Sequence, residues 1–332
     1  MSKFYCSLFC LILIACTPEK EDAGTSEKLV PDTETESEQP QEIVDSPSLV
    51  ILGTIQDAGS PHINCHKACC EALHTHPDPD KKVVSLGFID PENKKKYLFE
   101  ATPDISSQIA LLSNFEDFSE TDIPDGVFLT HAHIGHYAGL MFFGKEATNT
   151  QNVPVFAMPK MREFLSNNGP WNQLISEENI LLSPLENESP TIVNSNLTVI
   201  PFTVPHRDEY SETVGYKIIG PNKSAIFIPD IDKWEKWRKN ILEEINEVDY
   251  AFLDATFYDA NEIPDREISE IPHPLVSESM ELFAQLSDEN KDKIYFIHFN
   301  HSNPILDNSS GKNEVIEAAG FHNALINQVF KM

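Results

Sequence analysis

The stretch His131-Ala132-His133-Ile134-Gly135-His136 constrains this chain more than any other. Three of the twelve histidines in a 332-residue sequence fall within it, after the short apolar run Gly126-Val127-Phe128-Leu129-Thr130 and before Tyr137-Ala138-Gly139-Leu140-Met141. Such a run reads as a buried strand, and the residues beyond the turn can open a helix. Spacings of two and three put His131 and His133 on one side of the strand end and swing His136 in from the turn. Several converging neutral imidazoles are a donor set for zinc or iron, and a polar surface loop has no need to concentrate them.

Other metal-competent residues fall at similar places. His206 follows the apolar run 197–205, Asp230 follows 224–229, His298 follows 293–297, and Asp104 follows 97–103. Singly, each reads as a loop residue or, for Asp104, a helix N-cap. Together with the triple-histidine turn they point to a metal centre fed by strand ends. Asp254, after the run 250–253, is a further strand-end carboxylate, suited to proton transfer, to supporting a ligand or to capping a turn. His273, between two prolines, reads as a loop residue that could meet substrate.

The remaining pattern predicts strands at 49–52, 83–88, 97–99, 127–129, 153–156, 197–204, 214–219, 225–228, 250–253 and 294–297. Helical patterns cover 105–113, 160–167, 233–244 and 275–286. Strands outnumber helices and several pair as hairpins, so a mixed α/β (α+β) sandwich suits better than a purely parallel sheet. Residues 47–332 suffice for one large domain.

The start of the chain reads differently. Lys3 and the apolar residues 4–15 are too short to span a bilayer, which needs ~20 residues, and they end in Leu13-Ile14-Ala15-Cys16. That tetrapeptide resembles a bacterial lipobox, predicting a signal peptide over 1–16 and a lipid on Cys16 that anchors the protein in the cell envelope. A plain secretory signal or a buried helix would be the alternatives. Residues 17–46 carry ten acids and two lysines with few apolar residues, which predicts a disordered acidic tether. The formal net charge of −29 leaves no basic patch for nucleic acid. Lys94-Lys95-Lys96 reads as a hairpin turn.

In this order the motifs resemble the metallo-β-lactamase fold superfamily of metallohydrolases. The resemblance implies a four-layer αββα sandwich with a two-metal site between its sheets. It implies a first metal on His131, His133 and His206, and a second on His136, Asp230 and His298 with Asp230 able to bridge. Asp104 would orient a ligand histidine, and Asp104, Asp230 and Asp254 are the candidate catalytic carboxylates. One position departs: Gly135 stands where the family's turn has Asp, so the second site should be weaker and Gly135→Asp should strengthen it. The implied cofactor is zinc, as one or two ions, with manganese or iron as alternatives.

Two further stretches are similar to the pyrroloquinoline quinone biosynthesis protein B branch. They are residues 56–70, with Cys65, Cys69 and Cys70, and residues 298–304, where His301 lies three beyond His298. Related cyclic phosphodiesterases hold a structural zinc with three cysteines and one such histidine, which implies Cys65, Cys69, Cys70 and His301 here. His62 or His66 could substitute, and a disulfide is the alternative, although it would leave one thiol over. The implied activity is attack of a metal-bound hydroxide on an ester or phosphodiester of a small-molecule substrate. Two alternatives stay open. Two histidines and a carboxylate also suit an Fe(II)/O2-dependent oxidase or hydroxylase, and the missing carboxylate suits a non-catalytic metal-binding lipoprotein.

Overall fold

The apolar runs become strands of two seven-stranded sheets in the computed structural model, which describes residues 42–264 and 266–332. The expected signal peptide, Cys16 and most of the expected tether lie outside the described residues. Among the described residues no helix is long and apolar enough to cross a membrane.

The first sheet contains β1 (Ser48–Gly53), β2 (Ser85–Asp90), β3 (Lys95–Phe99), β4 (Gly126–Phe128), β5 (Val153–Ala157) and β6 (Ile180–Pro184). The second contains β7 (Thr191–Asn194), β8 (Leu197–Thr203), β9 (Val214–Ile219), β10 (Ser224–Ile228), β11 (Tyr250–Asp254), β12 (Ile294–Ile297) and β13 (His322–Asn323). Finally β14 (Val329–Lys331) returns to pair antiparallel with β1. The strand orders are β14-β1-β2-β3-β4-β5-β6 and β13-β12-β11-β10-β9-β8-β7.

Each sheet joins a parallel half to an antiparallel half. β3 through β6 run parallel, as do β10 through β13. Two antiparallel steps separate β1 from β3 and β8 from β10. Hence β1, β3 and β4 share one direction in the first sheet, and β8, β10, β11 and β12 share one in the second. The carboxyl ends of like-directed strands are where such sheets gather ligands.

Burial explains why most strands were legible. Every residue of β1, β2 and β4 is buried, and a strand covered on both faces reads as a continuous apolar run. Between the sheets, Phe88, Phe99 and Phe128 meet Tyr216, Phe227 and Phe252. Phe128 stacks on Phe99 and Phe156 at centroid distances of 4.8 and 4.3 Å, and its truncation to Ala should cost about 3–5 kcal/mol. The outer face of the first sheet is covered by Ile105, Leu112, Met161 and Leu165 from helices Ile105–Ser113 and Pro159–Asn167. Helices Ile241–Asn246, Val276–Phe283 and Lys312–Ala318 cover the second sheet through Ile245, Phe283 and Ile316. The layers are therefore helix, sheet, sheet, helix, the α/β (α+β) four-layer sandwich.

Three local expectations are corrected. The helix expected over 233–244 divides into a 3-10 turn, Trp234–Lys236, and the helix Ile241–Asn246, because the Asn240 side chain accepts the Leu242 N–H at 3.1 Å and starts a new helix. Of the three lysines read as a turn, Lys95 and Lys96 belong to β3. Lys96 is buried, 2.8 Å from Glu116 Oε1 and 2.9 Å from Ser113 Oγ. Removing one partner of such a pair costs about 3–5 kcal/mol, since it strands the other charge. Lastly, Val44, within the expected tether, already donates its N–H to Phe115 O at 2.9 Å.

Candidate metal centre

β4 delivers the histidine turn, β8 delivers His206 and β10 delivers Asp230, each just past a strand end. His131 has its Nδ1 2.9 Å from Thr130 Oγ1, which leaves Nε2 facing Asp230 Oδ2 at 3.3 Å. His133 presents Nδ1, 3.3 Å from His206 Nε2 and 3.7 Å from Asp230 Oδ2, while its Nε2 lies 3.2 Å from Glu209. His206 Nε2 is 3.2 Å from Asp230 Oδ1. One donor atom from each of these four residues lies within 4.8 Å of the others.

The arrangement fits a divalent cation on two counts. Bonds of ~2.0–2.1 Å in a tetrahedron place donors about 3.3–3.4 Å apart, close to these separations. Moreover, His131 Nε2, His136 Nε2, His298 Nε2 and Asp230 Oδ1 are buried without a hydrogen-bond partner. Buried polar atoms left unpaired are costly, and cations bound at the adjoining donor groups would satisfy them. Of these histidines His133 is the most open, with its side chain 14% exposed, so the centre is approached from the His133 and Glu209 side.

A second group of donors adjoins the first. His136 is fully buried, with Nδ1 3.7 Å from Glu100 Oε1 and Nε2 3.8 Å from Asp230 Oδ2. His298 Nδ1 meets Thr256 Oγ1 at 2.8 Å, leaving Nε2 toward the centre. Asp254 accepts the N–H groups of Ile231 and Thr256 at 3.1 and 2.9 Å and faces His273 Nδ1 at 2.9 Å. His273 Nδ1 also lies 3.2 Å from Asp230 Oδ1. Asp254 therefore supports His273, and His273, read from the sequence as a loop residue, is part of the centre.

The electrostatics follow the contacts. Burial disfavours charge on His131, and the neighbouring His136 adds to this, holding it well below the usual imidazole range. For His136 burial acts the same way, but Glu100, Asp57 and Asp230 outweigh it and hold the ring up at about 9. His273 is raised to about 10 because Asp254 and Asp230 overcome the cost of burial. Asp254 is held down at about 2 by His273 and His298 despite its burial. Asp230 is likewise pushed well below its ordinary value by His206 and His273 against burial.

Asp104 is not where the sequence reading put it. Its carboxylate accepts the Val83 N–H at 2.7 Å, and the carboxylate behind the Nδ1 of His136 is Glu100. β3 ends one residue before Glu100, which adopts a left-handed φ of 82° that turns its side chain under His136. A non-glycine residue rarely sits there, and such outliers gather at functional sites. His298, with φ 72°, makes the matching turn at the end of β12. The expectation for Gly135 is also corrected. A Cβ on Gly135 would sit 2.5 Å from Asp57 Cβ and 2.8 Å from Asp57 C, so Gly135→Asp is a collision rather than a gain.

Cys65, Cys69, Cys70 and His301 form a separate cluster, again with one donor from each within 4.8 Å of the others. The sulfurs of Cys65 and Cys69 are 4.0 Å apart and those of Cys69 and Cys70 3.9 Å apart, and all three thiols are free. Zn–S bonds of ~2.3 Å give a tetrahedral edge of about 3.8 Å, so the spacing suits one ion better than a disulfide. Burial, with Cys70 and Cys65 alongside, pushes the Cys69 thiol up to about 12. Three thiolates cannot share this space without a cation between them. Burial, with His62 and Lys67 nearby, lowers His301 to about 4 and keeps it a neutral donor.

Comparison with known proteins agrees with this fold. The sequence profile of the beta-lactamase superfamily domain matches residues 95–299. The Coenzyme PQQ synthesis protein B of Bradyrhizobium diazoefficiens is 24% identical over 302 residues, covering 82% of this chain and 96% of the relative. That of Gluconobacter oxydans is 22% identical over 306 residues, covering 86% and 98%. Among solved structures, zinc-bound PqqB from Methylobacterium extorquens superposes with a TM-score of 0.71 at 20% identity, covering 86% of this chain and all of the other. A diphosphatase of the PhnP family gives 0.60 at 21% identity, covering 86% and 96%. At these identities the superpositions speak to the fold.

Proposed function

The chain belongs to the beta-lactamase superfamily and resembles its PqqB branch, and from that premise we propose that it is a metal-dependent hydrolase of an ester or phosphodiester-type bond in a small molecule. The observation that carries the reading is the ring of buried, partnerless donors on His131, His136, Asp230 and His298 beside His133 and His206. A divalent cation supplies Lewis-acid polarisation of the scissile bond and brings the pKa of a water close to neutrality. Zinc, as one or two ions, is the metal the reading takes, and His131, His133 and His206 would hold the first.

The chain's own residues do the rest. Asp230 faces His131, His133 and His136 with Oδ2 and His206 and His273 with Oδ1, so it ties the two groups of donors together. Thr256 fixes the ring of His298 by a hydrogen bond to Nδ1, and the Glu100 carboxylate faces His136 Nδ1 at 3.7 Å. His273 keeps a proton at Nδ1 between Asp254 and Asp230 and so orients Asp230. A second reading, an Fe(II)- and O2-dependent oxidase or hydroxylase, draws on His136 and His298 meeting a carboxylate, a set that leaves positions open.

The test is elemental analysis of protein purified without added metal, followed by a panel of phosphodiester, lactone and β-lactam substrates. Zinc or manganese with turnover in air and in its absence supports hydrolysis. Iron with turnover only in O2 replaces it with the oxidative reading, and a metal-loaded chain silent on every substrate class leaves a binding lipoprotein. The proposal also places the protein in the bacterial cell envelope through lipid on Cys16. Cys16→Ala should move it from the membrane fraction to the soluble one, and unchanged retention removes the anchor.

A further inference from the structure

We propose that Asp57 is the carboxylate of a second cation site formed with His136 and His298, replacing across space the ligand that the histidine turn lacks at Gly135. The inference rests on the reading of the histidine cluster as a metal centre. One donor atom from each of Asp57, His136 and His298 lies within 4.8 Å of the other two. His298 Nε2 and His136 Nε2 are buried without a hydrogen-bond partner, so they are free to take a cation, while His136 Nδ1 faces Glu100.

Gly135 is the counterpart of that placement. The Cβ it lacks would overlap the Asp57 carbonyl oxygen and stand 2.5 Å from Asp57 Cβ. The Asp57 side chain thus starts from the spot where a side chain on residue 135 would start. A carboxylate at 135 and this position of Asp57 exclude each other, and the loss of one is made good by the other. Only glycine allows the approach.

The backbone holds Asp57 in register with His298. Gln56 N–H donates to Phe299 O at 2.8 Å and Phe299 N–H donates to Thr54 O at 2.8 Å. The residue before Asp57 and the residue after His298 are therefore clamped together, and Ile55 bridges to both Val83 and Phe299. The loop turns back at once, with Gly59 N–H donating to Gln56 O at 2.9 Å. Asp57 follows β1 as His136 follows β4 and His298 follows β12, so it belongs to the set of residues at like-directed strand ends. The resulting ligand set, two imidazoles and a carboxylate, takes a divalent first-row cation.

The test titrates zinc into the metal-stripped full-length chain under chelator competition and counts the ions retained. Asp57→Asn keeps the side-chain volume and should lose one equivalent, or weaken it by roughly tenfold or more. Asp104→Asn, which lines the same small cavity as Asp57, should leave the count and affinity unchanged. An Asp57→Asn chain that binds the native number with native affinity overturns the assignment of Asp57. If His131→Ala and His298→Ala also leave the count unchanged, the metal-centre reading itself falls. A cobalt-loaded Asp57→Cys chain supplies a direct check, since thiolate at position 57 on the cation adds a near-ultraviolet charge-transfer band over the native cobalt spectrum. Absence of that extra band at full loading counts against contact.

Discussion

The histidine centre and the cysteine cluster use neighbouring residues of one segment for opposite purposes. His298 belongs to the first and His301, three residues on, to the second. The histidine centre collects donors from the ends of β4, β8, β10 and β12, so it exists only once both sheets have packed. The cysteine cluster takes three donors from one short loop, residues 65–70, and ties that loop to His301 just past β12. The first contains carboxylates and buried nitrogens without partners; the second contains no carboxylate among its four donors. Three thiolates and an imidazole would fill all four positions of a zinc ion, whereas three histidines would leave a fourth position open beside Asp230, which also faces the second group of donors. The two are also linked, because Asp57 stands at the start of the loop that the cysteines fasten.

The comparison is broken most severely by His131→Ala. It should reduce turnover by about 10³-fold or more, in line with the loss of a group that acts as one unit with its neighbours, while the melting temperature of the metal-free chain changes little. If turnover survives, the centre is not where the reaction occurs. Cys69→Ser and Cys70→Ser should act the other way. They should remove one bound zinc and lower Tm by several degrees, at ~2–4 °C per kcal/mol, because structural zinc contributes directly to folding. Turnover should fall less than in His131→Ala. A melt unchanged by either cysteine variant would place the cluster outside the folding unit, and a disulfide found by mass spectrometry would replace zinc altogether.

Much of this contrast was legible before the structure, for a physical reason. Strands buried on both faces print continuous apolar runs, so β4, β10 and β12 and the donors that follow them stood out. The edge strands β6 and β7 are partly exposed, and neither was expected. Glu100 was missed because sequence spacing does not reveal that the backbone turns left-handed at that residue. Asp104, four residues later and just before a helix, had the more obvious signature. Gly135 was legible as a missing carboxylate, but Asp57 lies 78 residues earlier and meets the turn only through the clamp between Gln56 and Phe299. His273 gave only two flanking prolines as a signal, and its role depends on Asp230 and Asp254 arriving from two other strands.

The smallest effect sharpens the boundary of the histidine centre, because it compares two carboxylates that the sequence could not rank. Glu100 touches His136 from below the site, whereas Asp104 touches a backbone N–H at the edge of the first sheet. Glu100→Gln keeps the shape of the side chain and removes the charge that faces His136. Supporting carboxylates of this kind raise the basicity of the ligand ring and fix its orientation, so the second cation should bind ~10- to 100-fold more weakly. Asp104→Asn should leave metal affinity alone and cost about 1 kcal/mol of stability, since a charge-assisted hydrogen bond to Val83 becomes a neutral one. Both are read in one experiment, a chelator-competition titration paired with a denaturant melt of the metal-free protein. Should Asp104→Asn weaken the metal while Glu100→Gln does not, the original assignment of Asp104 to the centre stands and Glu100 is only a buried acid at a strained turn.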